Sequence, residues 1–186
     1  VKEIYIEQSF LSYRIKDNIS FNAGLMLIPM GIQNLYHEPP TFNGVERTNV
    51  DKYIVPTTWR EIGVSVNGRL ENYLMYEFMI VNGFNGFDGE GLFNGSSGLR
   101  GGRQKGSKSY MTFPDFVSRF SYISIPGLNL GVSAYIGESE SAAYNGLDLN
   151  NDNDVQSADS TIIGIQMIGA DARYQKGALQ LRGQYI

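Results

Sequence analysis

Residues 59–70 read WREIGVSVNGRL. Ile62, Val64, Val66, Gly68 and Leu70 fall on one side of an extended chain, and Glu61, Gly63, Ser65, Asn67 and Arg69 fall on the other. Successive side chains of a strand point to opposite faces, so this period of two marks a strand with one apolar and one polar face. A helix would need apolar residues three and four apart.

The same alternation recurs along the chain. Ile19, Phe21, Ala23, Leu25 and Leu27 oppose Ser20, Asn22, Gly24 and Met26. Leu74, Tyr76, Phe78 and Ile80 oppose Tyr73, Met75, Glu77 and Met79. Leu128, Leu130, Val132, Ala134 and Ile136 oppose Asn129, Gly131, Ser133, Tyr135 and Gly137, and Leu179, Leu181, Gly183 and Tyr185 oppose Gln180, Arg182 and Gln184. Weaker strands are expected over roughly 3–15, 115–124 and 161–174, which makes eight strands and no helix. Most run to about 10–13 residues, close to the 9–11 of a tilted membrane strand and longer than the 5–6 usual in soluble sheets.

The connections sort by length. Lys16-Asp17-Asn18, Glu71-Asn72, Ile125-Pro126-Gly127 and Gln175-Lys176-Gly177 read as tight turns. The intervening loops, 31–58, 82–114 and 138–160, are long. Strict alternation places short turns at one end of the sheet and long loops at the other, as in outer-membrane barrels. Tyr13, Phe21, Tyr73, Tyr122 and Tyr174 each lie within a few residues of a short turn, where an interfacial aromatic girdle belongs. The expected fold is therefore all-β, an antiparallel up-and-down transmembrane β-barrel with about eight strands in residues 1–186, a single domain or barrel segment. Closure leaves no sheet edge and no backbone polar group unpaired in lipid. An eight-stranded barrel is filled by its own side chains, whereas these inward positions are small or charged. That favours a piece of a larger barrel.

Composition narrows the function classes. The 186 residues include no Cys and one His, with 15 basic and 19 acidic side chains. Without Cys there is no disulfide framework, thiolate metal site or thiol nucleophile. A net charge of −4 gives no reason to expect a nucleic-acid partner. No apolar run reaches a spanning helix, and the mean hydropathy is slightly negative. Neither argues against a barrel, whose strands average their two faces. The chain opens Val1-Lys2-Glu3 with no basic or apolar leader, so any export signal is expected to have been removed already. His37 stands in the Pro-rich run Tyr36 to Pro40, no G-x-S-x-G occurs, and no catalytic constellation emerges. The chain is not expected to be an enzyme.

Two loops carry candidate chemistry. In loop 82–114, Arg100, Arg103, Lys105 and Lys108 fall within nine residues. Folded into a lumen, such a row would favour anions. Alternation turns Arg69, Arg119, Arg173 and Arg182 to the same inner face, partly offset by Glu61, Glu77 and Asp171. In loop 138–160, Asp148, Asn150, Asp152, Asp154 and Asp159 stand at positions 1, 3, 5, 7 and 12 of an EF-hand-type calcium loop. It looks like the calcium loop of dockerin modules, where Asp also occupies the last position. Asn153 takes the place of the turn glycine and Asp159 that of the bidentate Glu. Calcium is the cofactor this spacing implies.

The stretch GLMLIPMGIQNLYHEPPTFNGVERTNVDKYIVPTTWREIGVSVNG, Gly24 to Gly68, and GLRGGRQKG at 98–106 resemble the phosphate-selective type of outer-membrane porin, in particular its relatives in Bacteroidetes-like bacteria. The resemblance spans about two thirds of the chain. It implies a barrel of about sixteen strands, trimeric, passing small anions, with Arg and Lys on an inward-folded loop; Arg100, Arg103 and Lys105 occupy that loop here. The chain is expected to be an outer-membrane porin of a Gram-negative bacterium, in contact with the lipid bilayer and small anionic solutes, as a homotrimer or part of a larger complex. The alternatives are a non-conducting outer-membrane barrel scaffold or subunit of a surface complex, and a soluble β-sandwich binding module.

Overall fold

In the computed structural model, residues 6–36, 48–88, 90–142, 151, 153 and 161–186 are described. They form one antiparallel sheet of eight strands in strict sequence order, β1(Ser9–Lys16), β2(Ile19–Leu27), β3(Arg60–Leu70), β4(Leu74–Val81), β5(Asp115–Tyr122), β6(Leu128–Ser141), β7(Thr161–Lys176) and β8(Leu179–Tyr185). The up-and-down meander is open: among the described residues β1 pairs only with β2 and β8 only with β7.

The expected strands all form, with revised bounds. β1 begins at Ser9, and β7 continues to Lys176, so its turn to β8 is Gly177-Ala178 and not Gln175 to Gly177. Lengths run from 7 to 16 residues, a wider spread than expected. Three short helical turns also occur that alternation does not foretell: α1(Ile32–Leu35), a π-turn at Val50–Ile54 and a 3-10 turn at Leu99–Gly102. The short turns stand at one end, with Gly127 at φ 83, where a Cβ would run into the Gln175 carbonyl.

The two faces are inverted relative to a water-soluble sheet. The outward apolar residues are exposed: Phe116 53%, Val132 55%, Ile136 56%, Ile168 73%. The inward face buries polar groups, with Glu61 0%, Ser133 2% and Asn22 5% exposed. On the outer positions of the strands, charge occurs only toward the ends, at Lys16, Arg60, Glu138, Glu140 and Lys176. Near the short turns Tyr73 and Tyr122 meet edge to face at 6.0 Å, and Phe78 meets Phe120 at 5.5 Å. Such pairs favour adjacent rings on one face.

The segment after β2 lies across the inner face instead of leaving it. Asn34, fully buried, donates to Ile28 O (2.7 Å) and Trp59 O (3.0 Å) and accepts from Trp59 N (2.7 Å), clasping the two ends of the long β2–β3 connection. At about 4.8 Å per strand, β2 and β8 of a flat sheet would stand roughly 29 Å apart. Yet Gln184 of β8 accepts from Ile32 N at 2.8 Å and donates to Asp51 Oδ1 at 2.6 Å. Arg173 of β7 stacks on the Tyr36 ring at 3.8 Å. Beneath these contacts the long-loop end of the inner face is filled by Met26, Ile28, Met30, Val55, Trp59, Met79, Val81, Phe84, Val117, Tyr135, Ile165 and Met167.

Candidate functional site

The inner face divides into a packed half and an open half. In the packed half, Trp59 stacks on Phe84 at 4.4 Å and both lean on Tyr135. Two carboxylates are built in around these rings. Glu61 accepts from Trp59 Nε1 (3.0 Å) and Asn82 Nδ2 (3.1 Å). Asp115 accepts from the Tyr135 hydroxyl and from Glu138 N. With its donors satisfied in this way, each group serves as a tie between strand and loop.

The open half, toward the short turns, is a cavity of about 840 Å³ lined by Ser20, Asn67, Arg69, Met75, Glu77, Arg119, Ser121 and Asn129, with Tyr36 on its inner side. Its wall mixes these charged and polar side chains with apolar surface from Pro29, Leu35 and Met75. Arg69 and Arg119, both expected on this surface, line it together, but they are not equivalent. Arg119 forks onto Asp171, Nη1 to Oδ2 at 2.7 Å and Nη2 to Oδ1 at 2.9 Å, with Nε on Ser121 Oγ at 3.2 Å. Both side chains are nearly buried, so the charge of Arg119 is largely answered in place. Arg69 is exposed and appears in neither ion pair found among the described residues. Arg182 stands opposite Arg173 in the β7–β8 register and lines a separate recess near the Gly127 turn.

The basic loop goes to the other end. Arg103 donates to Thr57 O (2.6 Å) and Thr58 Oγ1 (3.1 Å), while Gln104 is tied to Asn82 O, Gly83 O and Tyr110. Lys108 reaches Asp88 at 3.8 Å across exposed surface. Arg100, Arg103, Lys105 and Lys108 therefore cluster at the long-loop rim, beyond the packed half, and not in the cavity that holds Arg69 and Arg119. Burial first, then Arg103, Arg60, Arg100 and Lys108, push the Lys105 ammonium below the usual lysine range.

The calcium-loop residues Asp148, Asn150, Asp152, Asp154 and Asp159 lie outside the described residues, as does His37. Among the described residues no group of three or more His, Cys, Asp or Glu is placed to hold a metal ion.

Alternation did not single out Gln184, Asp51 and Asn34, which fasten the inward segment. A polar residue on the inner face looks the same whether it meets water or a loop. Alternation gives Arg60 no role either, although its parity carries a signal: it is a cation on the face that holds Ile62, Val64, Val66 and Leu70.

No family model matches the chain, and no solved structure matches it. It is 34% identical over 134 residues to an uncharacterized protein of Aquifex aeolicus. The match takes in 72% of this chain but 30% of that protein, so the chain spans about a third of the length of the relative it resembles.

Proposed function

We propose that this chain is wall and inward loop of an outer-membrane porin, a transmembrane β-barrel larger than these eight strands, through which small solutes diffuse passively with anions favoured. The observation that carries the reading is the inversion of the sheet: exposed, uncharged apolar residues outside, buried polar ones inside. Lipid tolerates the first arrangement and water the second. The sorted loops, the ring pairs near the short turns and the 840 Å³ cavity that Arg69, Glu77 and Arg119 line fit the same picture. A phosphate-selective porin is the family this reading prefers, on the strength of the resemblance in residues 24–68 and 98–106. Arg69 is the cavity cation best placed to favour anions, because Arg119 is already bound to Asp171. The rim cations Arg100, Arg103 and Lys108 act at the mouth. Assembly as a homotrimer is part of the same proposal.

The test is single-channel recording in a planar bilayer under a KCl gradient. Discrete steps with a reversal potential of the sign set by chloride are expected. An absence of steps rejects the pore, and a cation-signed potential rejects the role given to Arg69.

A second reading is favoured by the packed half, where Trp59, Phe84 and Tyr135 close the inner face beneath the loops. In it the barrel is a non-conducting scaffold of a surface complex, and the same recording separates the two. The acidic loop is proposed to bind calcium through Asp148, Asn150, Asp152, Asp154 and Asp159. EDTA is then expected to lower the thermal stability of the native protein and to leave D148A/D152A unchanged. An equal shift in both would reject the site.

A further inference from the structure

We propose that Arg60 and Lys105 form a site on the outer wall of the long-loop rim for the phosphate of an anionic lipid headgroup. The proposal rests on the membrane reading above.

Arg60 is the residue of β3 nearest the long loops, and its parity places it on the outer face with Ile62 and Val64. It is nevertheless only 7% exposed. Nη1 reaches Thr58 O at 3.4 Å, but the buried Nε has no hydrogen-bond partner. A buried guanidinium nitrogen left open is costly, and such a position calls for an acceptor.

The basic loop comes close enough for the Arg60 charge to act on Lys105. Gln104 still belongs to the inner side, since its side-chain amide donates to Asn82 O and Gly83 O. Lys105 and Gly106 then take positive φ, 56 and 82. A Cβ on Gly106 would stand 2.8 Å from Leu25 Cδ1, and Leu25, opposite Ile62, is on the outer face. Between residues 104 and 106 the chain thus crosses from lumen to outer wall. It carries Lys105 there into a positive field to which Arg103, Arg60, Arg100 and Lys108 all contribute.

Among the described residues, neither Arg60 nor Lys105 has a carboxylate within 4.0 Å. The outer-face acids, Glu138 and Glu140, stand three strands away on β6. A phosphate offers several acceptor oxygens to converging fork and ammonium donors. At the rim of an uncharged apolar band, the phosphates at hand are those of headgroups.

The experiment folds the full chain into phosphatidylcholine vesicles and reads the temperature at which the compact band in SDS gels converts to the unfolded one. One arm adds a bis-phosphorylated glucosamine glycolipid to the vesicles and the other adds inorganic phosphate. The glycolipid is expected to raise the conversion temperature and inorganic phosphate to leave it unchanged. R60Q and K105Q should each raise the half-maximal glycolipid concentration about tenfold, with R60K, which keeps the charge but loses the fork, falling between R60Q and the native protein. K105Q alters an exposed side chain, so the test stands even where R60Q folds poorly. Equal stabilisation by inorganic phosphate, or full glycolipid binding by K105Q and R60Q, overturns the lipid site. A compact band without a glycolipid effect overturns it too, and leaves the membrane reading intact. No compact band in any vesicle overturns the membrane reading itself.

Discussion

Gln184 in the last strand is bonded through both ends of its amide to the segment that follows the second strand: Oε1 accepts from Ile32 N at 2.8 Å and Nε2 donates to Asp51 Oδ1 at 2.6 Å. Asp51 is 1% exposed, so the bond is made away from water and its partner cannot turn to solvent when the bond is lost. One side chain thus decides whether the connection lies against the inner face near β8.

Replacing Gln184 by Leu keeps the bulk and removes both bonds. Stranding the buried Asp51 carboxylate and the Ile32 amide should cost about 1–3 kcal/mol per group. Residues 31–36 and 48–58 are expected to become sites of limited proteolysis. The unit conductance of the reconstituted protein should rise as the inner face is uncovered. Unchanged cleavage and conductance would mean that other contacts hold the segment.

Val132 on β6 points outward, is 55% exposed, and lies mid-strand between Leu130 and Ala134. V132R should therefore destabilise the protein folded in vesicles by about 2–4 kcal/mol, the cost of a cation on the lipid face near the bilayer midplane. E138Q, at the rim of the same face, should change it little. Urea titration of the vesicle-folded protein by tryptophan emission measures both, since Trp59 is the sole Trp. A soluble β-sandwich would give the opposite result for V132R, a neutral or more soluble protein.

Period-two alternation and loop sorting made the strands, their order and the two faces legible, because a strand buried on neither or one face must separate its residues by parity. The site was legible only in part. Parity places Arg69, Arg119 and Asp171 on one face but does not pair Arg119 with Asp171 of β7, fifty-two residues away, which takes its charge. Nor does parity apply to loops. The cations at 100–108 were expected to line the lumen, and the chain instead carries Lys105 over the rim through a turn at Lys105-Gly106. The Gln175 to Gly177 turn slid by one to two residues because Lys176 still pairs with Leu179, a matter of register that composition does not fix.

Lys105 supplies a pH test. In the unfolded chain its ammonium titrates near 10.5, and in the fold burial and four neighbouring cations hold it lower. The fold therefore disfavours the protonated form. The resulting penalty is present in full wherever both states are protonated, below the folded pKa. It is relieved as pH rises from that value to the ordinary one. In neutral phosphatidylcholine vesicles, K105Q is expected to be more stable than the native protein at pH 7, and the difference should shrink as pH approaches 10.5. A constant difference across pH 7–10.5 would show that the substitution acts through packing of the turn.

The Arg119–Asp171 pair yields the prediction that separates a structural cation from a selectivity cation. Both side chains are buried, at 9% and 5% exposure, with two bonds under 3 Å between them. Gly131 leaves the room they occupy, since a Cβ there would collide with Arg119 Nη2 and approach Asp171 Oδ2 at 2.7 Å. R119M strands the Asp171 carboxylate and should destabilise by about 3–5 kcal/mol. R119M/D171L removes both charges and should recover most of that loss, because an apolar pair of similar volume escapes the desolvation cost. G131A should destabilise by forcing the fork apart. On ion selectivity the order reverses. R119M/D171L removes one charge of each sign and should leave the reversal potential in a KCl gradient nearly unchanged. R69Q removes an exposed cavity cation and should move the potential toward cations with little loss of stability. If the double substitution shifts the potential as far as R69Q does, Arg119 acts on solutes despite its partner, and the division of labour between these two arginines is wrong.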